Sequence, residues 1–405
     1  MENSTDRLHQ FMLDAAVFLH RFGTPSHRLE RVMEKVATSQ GLRGIFLYTP
    51  TALIVSLTPL DGERDEATYL RQIDSGPVDA DKLIRFDEVL GNLERGEQSL
   101  ADAAQQMAVI GASQPLYPWP VAVLACAVSC GLVALLFGGS MVESAAAASI
   151  GLVVAFLEYL HGRRKWQRGF LEPLIGFLAA VGSLAIARWI TPMNDRLVTL
   201  AALIVFLPGL QLTVGLTELA MGHLSAGAAR LAGAGSTLLT LIIGVAIGWQ
   251  IAEPWQTLPI QPLPVPPIWS LWAAVIVAPI TFAIVFRARW PLWPVIIAVA
   301  VSGYATSRLI GDVWGLEVGA FAGALIVGCG SNLYARLRDR PALVPLTPGM
   351  IVLVPGSLGY RSLAAMLERD TVAGVELAFS MLIVAMALVG GILMSSAVIS
   401  PKRIL

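Results

Sequence analysis

From residue 118 onward the chain alternates long apolar runs with short polar interruptions, and the runs recur. Segments at about 118–138, 143–160, 170–190, 194–213 and 226–250 are each matched, 147 positions later, by apolar segments at 265–285, 290–307, 317–337, 341–360 and 373–397. Each run has roughly the 17 to 25 residues that an α-helix needs to cross hydrocarbon, where a spanning backbone must satisfy its own hydrogen bonds. The pattern predicts a polytopic α-helical membrane protein with ten transmembrane helices. Within it, Leu203–Leu231 aligns without gaps on Met350–Ala378, with identities at Ile204/Ile351, Val205/Val352, Pro208/Pro355, Gly209/Gly356, Leu216/Leu363, Ala226/Ala373 and Gly227/Gly374. Five spans is an odd number, so the second copy enters the bilayer from the opposite side. Two five-helix inverted repeats are the architecture of secondary transporters, with a site near the midplane at the repeat interface.

The first 115 residues read differently. Asp6 to Phe22 has helical spacing and stops at Gly23; Thr24 as N-cap and Pro25 at the first helical position open a second helix carrying Leu29, Val32, Met33, Val36 and Ala37. Ile45–Tyr48 and Ala52–Leu57 are β-prone runs around the bend Thr49-Pro50-Thr51, 61–65 reads as a turn, and 81–95 and 100–110 read as helices. The expected organisation is a small cytoplasmic α+β domain (1–115), transmembrane repeat 1 (116–252), a Pro-rich external connector (253–267) and transmembrane repeat 2 (268–405).

Composition agrees: 55% of residues are hydrophobic and 14% charged, against roughly 25% charged in soluble domains. The N-terminus MENSTDRLHQ lacks the basic start and apolar core of a signal peptide. Cys126, Cys130 and Cys329 all fall in apolar spans, with neither a disulfide framework nor metal-ligand spacing. Residues 1–115 carry 11 Lys+Arg against 17 Asp+Glu, leaving 17 against 12 for the remainder. With the N-terminus inside, Arg163, Arg164, Lys165, Arg168, Arg287, Arg289, Arg336, Arg338, Arg340, Lys402 and Arg403 fall on the cytoplasmic side. Arg188, Arg196, Arg308, Arg361 and Arg369 fall outside, which favours both termini in the cytoplasm.

Two features carry candidate transport chemistry. A Pro-Gly stands in the fourth span of each repeat, Pro208-Gly209 and Pro355-Gly356. Proline removes a backbone donor and glycine admits positive φ, so the pair either breaks the helix, freeing amides and carbonyls for a zwitterion or a coupling cation, or merely ends the span. Glu172 and Glu317 both begin the third span of their repeat. A carboxylate desolvated in a membrane can bind and release a proton near neutral pH, or it can snorkel into water. Glu158, Glu218 and Glu376 share that ambiguity, and Glu143 reads as solvated at a span entrance. Asn332 could read a substrate hydroxyl or bridge helices. In the N-terminal part, His27, Arg28, Glu30 and the Thr49/Thr51 pair could converge as a catalytic cluster, or Arg28, Glu30, Arg31, Glu34 and Lys35 could be the solvated face of an amphipathic helix. No nucleophile elbow, phosphate loop or zinc-helix signature occurs.

The stretch FGTPSHRLERVMEKVATSQGLRGIFLYTPTALIVSL (Phe22–Leu57) resembles the opening domain of the bacterial threonine/serine exporter family, and SNLYARLRDRPALVPLTPGMIVLVPGSLGYRSL (Ser331–Leu363) resembles its second membrane half. The matching positions are Gly23, Ser26, Arg28, Glu30, Thr49, Pro50 and Thr51 at the front, and Asn332, Tyr334, Arg336, Pro341, Pro348, Gly349, Pro355 and Gly356 at the back. The resemblance implies a carrier of the bacterial cytoplasmic membrane that exports threonine and serine on the proton motive force. It implies neither cofactor nor metal; its partners are a small amino acid, protons and the lipid bilayer, not nucleic acid, and a homo-oligomer stays open. Two-component relatives are associated with succinate export, and the fused format here favours the amino-acid reading. The competing readings are a dicarboxylate exporter, a membrane enzyme with a hydrolytic N-terminal domain, and a regulator or receptor.

Overall fold

The structure, a computed structural model, describes residues 4–60, 66–73, 76, 78–164, 169–252, 254, 264–351, 353 and 355–400. The turn expected at 61–65, most of the connector expected at 253–267, and Lys165, Arg168, Lys402 and Arg403, expected on the cytoplasmic side, lie outside the described residues.

The N-terminal part begins with α1 (Ser4–Arg21) and α2 (Ser26–Ser39). Gly23 makes the turn between them at φ 93°, a left-handed conformation that a side chain disfavours. Leu29, Met33, Val36 and Ala37 form the buried stripe of α2, at the spacing the sequence predicts. The expected cap differs: Pro25 occupies the N-cap position, α2 starts at Ser26, and no side chain of the loop caps it. An antiparallel meander follows, β1 (Leu42–Thr49), β2 (Ala52–Pro59) and β3 (Ala67–Gln72), in that order. Strand β3 has no counterpart in the sequence reading, because its alternation is inverted, with Leu70 72% exposed. Helices α3 (Ala80–Glu94) and α4 (Leu100–Ala112) are capped by Asp79 and Ser99, which accept from Lys82 N and Asp102 N, each at 3.1 Å. Met12, Leu19, Leu29, Met33, Tyr48 and Phe86 are among the side chains that close the core between helices and sheet.

The apolar remainder folds into α5 (Trp119–Leu136), α6 (Met141–Arg164), α7 (Leu171–Trp189), α8 (Asp195–Ala202), α9 (Gly209–Ala220) and α10 (Leu224–Ile251). It continues through α11 (Ile268–Val285), α12 (Trp293–Trp314, entered by a 3-10 turn), α13 (Leu316–Arg338), α14 (Leu343–Ile351), α15 (Gly356–Leu367) and α16 (Thr371–Val398). Among the described residues nine helical segments are long and apolar enough to cross a membrane, taking Leu343–Leu367 as one. The remaining expected span, 194–213, is instead the pair α8 and α9, of 8 and 12 residues, each too short to cross alone.

Close packing repeats at the sequence offset. A Cβ on Gly227 would meet Gly215 O and Leu219, and one on Gly374 would meet Ser362 O and Met366, each of these residues lying 147 positions after its counterpart. Likewise Gly244 lets α10 approach Pro173 of α7, and Gly391 lets α16 approach Phe321 and Ala324 of α13. Small residues let helix backbones touch where lipid tails supply no hydrophobic drive for association.

The N-terminal part caps one end of the bundle. Arg287 Nη1 pairs with Asp79 at 2.9 Å, Arg289 pairs with Asp81, Arg340 pairs with Glu88, and Ala80 N donates to Phe286 O at 2.9 Å. At the other end Arg196, in the first turn of α8, pairs with Glu368 just after α15 at 2.9 Å and stacks over Trp249. Glu143, expected in solvent, is buried there. Its carboxylate accepts from Ser140 N at 2.7 Å and Asn194 N at 2.8 Å, which closes the start of α6 onto the start of α8.

Candidate functional site

Both Pro-Gly pairs stand where a helix is interrupted. Pro208 is the N-cap of α9 and Pro355 the N-cap of α15, so Gly209 and Gly356 are the first helical residues after the two breaks. Ahead of α9 the chain runs through turns from Leu203, and Gly209 N bonds only two residues back, to Leu207 O at 2.8 Å. The breaks touch: a Cβ on Gly356 would lie 3.1 Å from Gly209 Cα and 3.2 Å from Gly209 N. Two helices therefore start at one place inside the bundle, and their positive dipole ends converge there.

A cavity of about 1120 Å³ opens on this point, and Pro208, Gly209 and Gly356 form part of its wall. That exceeds the roughly 300–1,000 Å³ of ordinary small-molecule pockets. Gln211 and Ser357 line it from the first turns of the two broken helices, Tyr304 and Ser307 line it from α12, and Glu158 lines it from α6. Most of the remaining wall is apolar. The cavity reaches the N-terminal part, where Gly23, Thr24 and His20 face it together with Arg230 of α10.

That junction is a charged and largely buried network. Glu218, at the end of α9 and 0% exposed, takes a forked pair of hydrogen bonds from Arg230 Nε and Nη2, each at 3.0 Å. The same carboxylate accepts from Ser26 N at 3.0 Å, so the first amide of α2 is capped by a residue of the membrane part. Next to it Glu30 Oε2 lies 3.2 Å from His223 Nδ1 in the α9–α10 turn. Burial raises the Glu30 pKa against the opposing pull of His223. His27 is driven down to about 3, first by burial and then by Arg28, His223, Arg31 and Arg230, so its ring stays neutral. Burial, then Arg31, lowers Arg28 to about 10.

The cavity thus gathers Pro208, Gly209 and Gly356, with Pro355 one residue behind the wall. The other expected residues stand elsewhere. Glu172 sits in the first turn of α7 with Oε2 buried and no hydrogen-bond partner among the described residues, and Glu317 sits in the first turn of α13 beside Gly315. Asn332 is 3% exposed on α13, its Nδ2 likewise without a partner among the described residues. The face of α2 divides: Arg31, Glu34 and Lys35 are exposed, whereas Arg28 and Glu30 are withdrawn at the junction. Thr49 is engaged in the β1–β2 turn, donating to Ala52 O at 3.3 Å and accepting from Ala52 N at 3.0 Å, while Thr51 O accepts from Ile73 N. Pro50 O accepts from His20 Nε2 at 3.3 Å, which holds that ring at the cavity mouth.

Sequence reasoning missed Thr24, His20, Gln211, Tyr304 and Ser307 as cavity residues. A signal existed for the α12 pair: Tyr304, Ser307 and Arg308 fall three and four apart in an apolar run, one face of a helix.

Comparison with known proteins places the two halves of the chain in related families. Residues 10–252 match a family described as "Putative threonine/serine exporter", and residues 271–398 match one described as "Threonine/Serine exporter, ThrE". Similar curated proteins are fungal. Pheromone-regulated membrane protein 10 of Eremothecium gossypii is 26% identical over 87% of this chain and 49% of its own length. An uncharacterized protein of Schizosaccharomyces pombe is 23% identical over 89% and 44%, and pheromone-regulated membrane protein 10 of Zygosaccharomyces rouxii is 25% identical over 87% and 37%. The chain spans about half or less of the length of these relatives. No solved structure matches it.

Proposed function

Since the chain belongs to the threonine/serine exporter family, we propose that it is a secondary-active exporter of threonine and serine, driven by the proton gradient across a bacterial cytoplasmic membrane. The observation that carries this reading is the meeting of the two interrupted helices, Gly209 against Gly356, in the wall of one large cavity. The positive ends of two converging helix starts suit the carboxylate of a zwitterion, and backbone carbonyls at the breaks suit its ammonium group.

In this reading the bundle has ten spans in two inverted repeats, α8–α9 and α14–α15 being the discontinuous fourth span of each. Three observations support it. Equivalent glycines make equivalent contacts 147 residues apart. The end of α9 meets the N-terminal part, whereas the end of α15 meets Arg196 at the far end, so the two half-helices run opposite ways. The arginines that pair with the N-terminal part, Arg287, Arg289 and Arg340, are among the basic residues assigned to the cytoplasm with both termini inside.

Proton coupling falls to carboxylates of the membrane part. Glu158 lines the cavity and is the most direct candidate; Glu172 and Glu317 stand outside it, in first turns. One observation favours a dicarboxylate substrate instead: Arg163, Arg230, Arg287 and Arg308 all line the cavity, against Glu158 alone among the described acids. Arg287 and Arg230 are, however, paired with Asp79 and Glu218, which reduces that excess. Efflux of labelled threonine, serine and succinate from vesicles holding the purified protein, with and without a proton gradient, decides between them. Gradient-dependent threonine and serine efflux supports the exporter; succinate efflux alone moves the assignment to dicarboxylates, and efflux of none removes it.

A further inference from the structure

The N-terminal part contributes to the wall of the cavity, and the way it does so is chemically uneven. Thr24 lies in the turn between α1 and α2, 1% exposed, and lines the cavity. Its Oγ1 is buried with no hydrogen-bond partner among the described residues. A hydroxyl at this position is expected to cap the following helix, but α2 takes Pro25 as its N-cap and Glu218 as the acceptor for its first amide, so Thr24 is released from that duty. Leaving a buried hydroxyl unsatisfied is costly, and native proteins seldom carry that cost without a ligand or water to relieve it.

The cation that lines the same cavity is prepared in a matching way. Arg230 keeps 17% of its side chain exposed, and Glu218 takes Nε and Nη2. The guanidinium is thereby fixed in direction and its charge balanced, while Nη1 lies outside the fork. An arginine edge is a geometric match for a carboxylate oxygen. His20, held through Nε2 by Pro50 O and stacked on Tyr48, closes the wall beside them.

We propose that this mouth, where the turn before α2 meets α10, is a binding site for the head group of a small hydroxylated zwitterion, with Arg230 taking the carboxylate and Thr24 Oγ1 hydrogen-bonding a second polar group. The inference rests on the exporter reading and adds to it a site separate from the helix breaks, built jointly by the N-terminal part and the membrane part. The solute meets this site at the end of the cavity nearest the N-terminal part, before or after it reaches Gly209 and Gly356. Thr24 is here a binding residue, and Glu218 a positioning residue that acts through Arg230.

The test uses the full chain in vesicles, with threonine as the probe. Thr24→Val is expected to raise the KM for threonine about tenfold with little change in maximal rate, Thr24→Ser to restore it, and Arg230→Lys to raise KM as well. In a variant whose Cys126, Cys130 and Cys329 are replaced, Thr24→Cys is expected to react with a small thiol reagent, and threonine to slow that reaction in a saturable way. An unchanged KM in Thr24→Val together with labelling indifferent to threonine overturns the site while wild-type efflux leaves the exporter reading standing. Absence of threonine efflux in the wild type removes both.

Discussion

Gly356 and Gly209 face each other so closely that a single methyl group on the first would press to 3.1 Å from the Cα of the second. The contact sets how near the two interrupted helices come, and no side chain can mediate it. Gly356→Ala is therefore expected to push one helix start aside at a cost of about 1–3 kcal/mol. Threonine efflux should fall by about tenfold, the equivalent of about 1.4 kcal/mol, in protein that still elutes as a folded species. Efflux rates and thermal midpoints measured side by side check this; unaltered efflux would show that the helix starts need not meet.

The pair formed by Glu218 and Arg230 has one fully buried partner. Removing one charge from such a pair strands the other, at a cost of about 3–5 kcal/mol, whereas replacing both with apolar groups is often near neutral. Glu218→Gln should lower the thermal midpoint and expose the N-terminal part to protease, although its amide oxygen still suits Ser26 N. The double change Glu218→Leu with Arg230→Met should recover much of that stability while abolishing transport. A double variant no more stable than Glu218→Gln would argue that the network contributes hydrogen bonds rather than charge balance.

Acidity should act through His27. Its folded pKa of about 3 lies below the ordinary value of 6.5, so the unfolded chain binds a proton that the folded chain refuses. Stability from this group is complete above pH 6.5, is lost as pH falls, and levels off near 3. The steepest slope approaches about 1.4 kcal/mol per pH unit for one proton. His27→Gln should make the thermal midpoint less sensitive to pH between 7 and 5. A profile as steep as that of the wild type would move the acid sensitivity to another group.

Coupling and binding are separable in the assay. Glu158→Gln is expected to abolish gradient-driven efflux and leave counterflow exchange measurable, because exchange needs the cavity but no net proton movement. Glu172→Gln and Glu317→Gln are tested in the same way, and equal loss of both activities in any of the three takes that residue out of the proton path.

Much of the bundle was legible in the residues. Crossing hydrocarbon demands long apolar helices, so the existence of nine such segments among the described residues follows from the one-dimensional pattern, although their ends shift, as from 290–307 to Trp293–Trp314, and the Pro-Gly positions marked both breaks. Three features were not readable in this way. Strand β3 hides its register because Leu70 points outward and its neighbours are polar. Thr24 followed by proline reads as a helix cap by local rules, yet the acceptor comes from Glu218, and no local rule sees a partner so remote. Glu143 read as solvated because a carboxylate at a span entrance ordinarily is; the backbone amides of Ser140 and Asn194 that bury it belong to a loop and a distant helix start. In each case tertiary contact overrode a sound local expectation.

The cap on α2 also sets an order of events during synthesis. Ser26 leaves the ribosome 192 residues ahead of Glu218, and chains fold as they emerge, N-terminal segments first. The first amide of α2 has no lasting acceptor until the fourth segment of the first half has been made and seated. The start of α2, translated ahead of the membrane part, is thus finished only after it, and its completion reports that the membrane part behind it is in place.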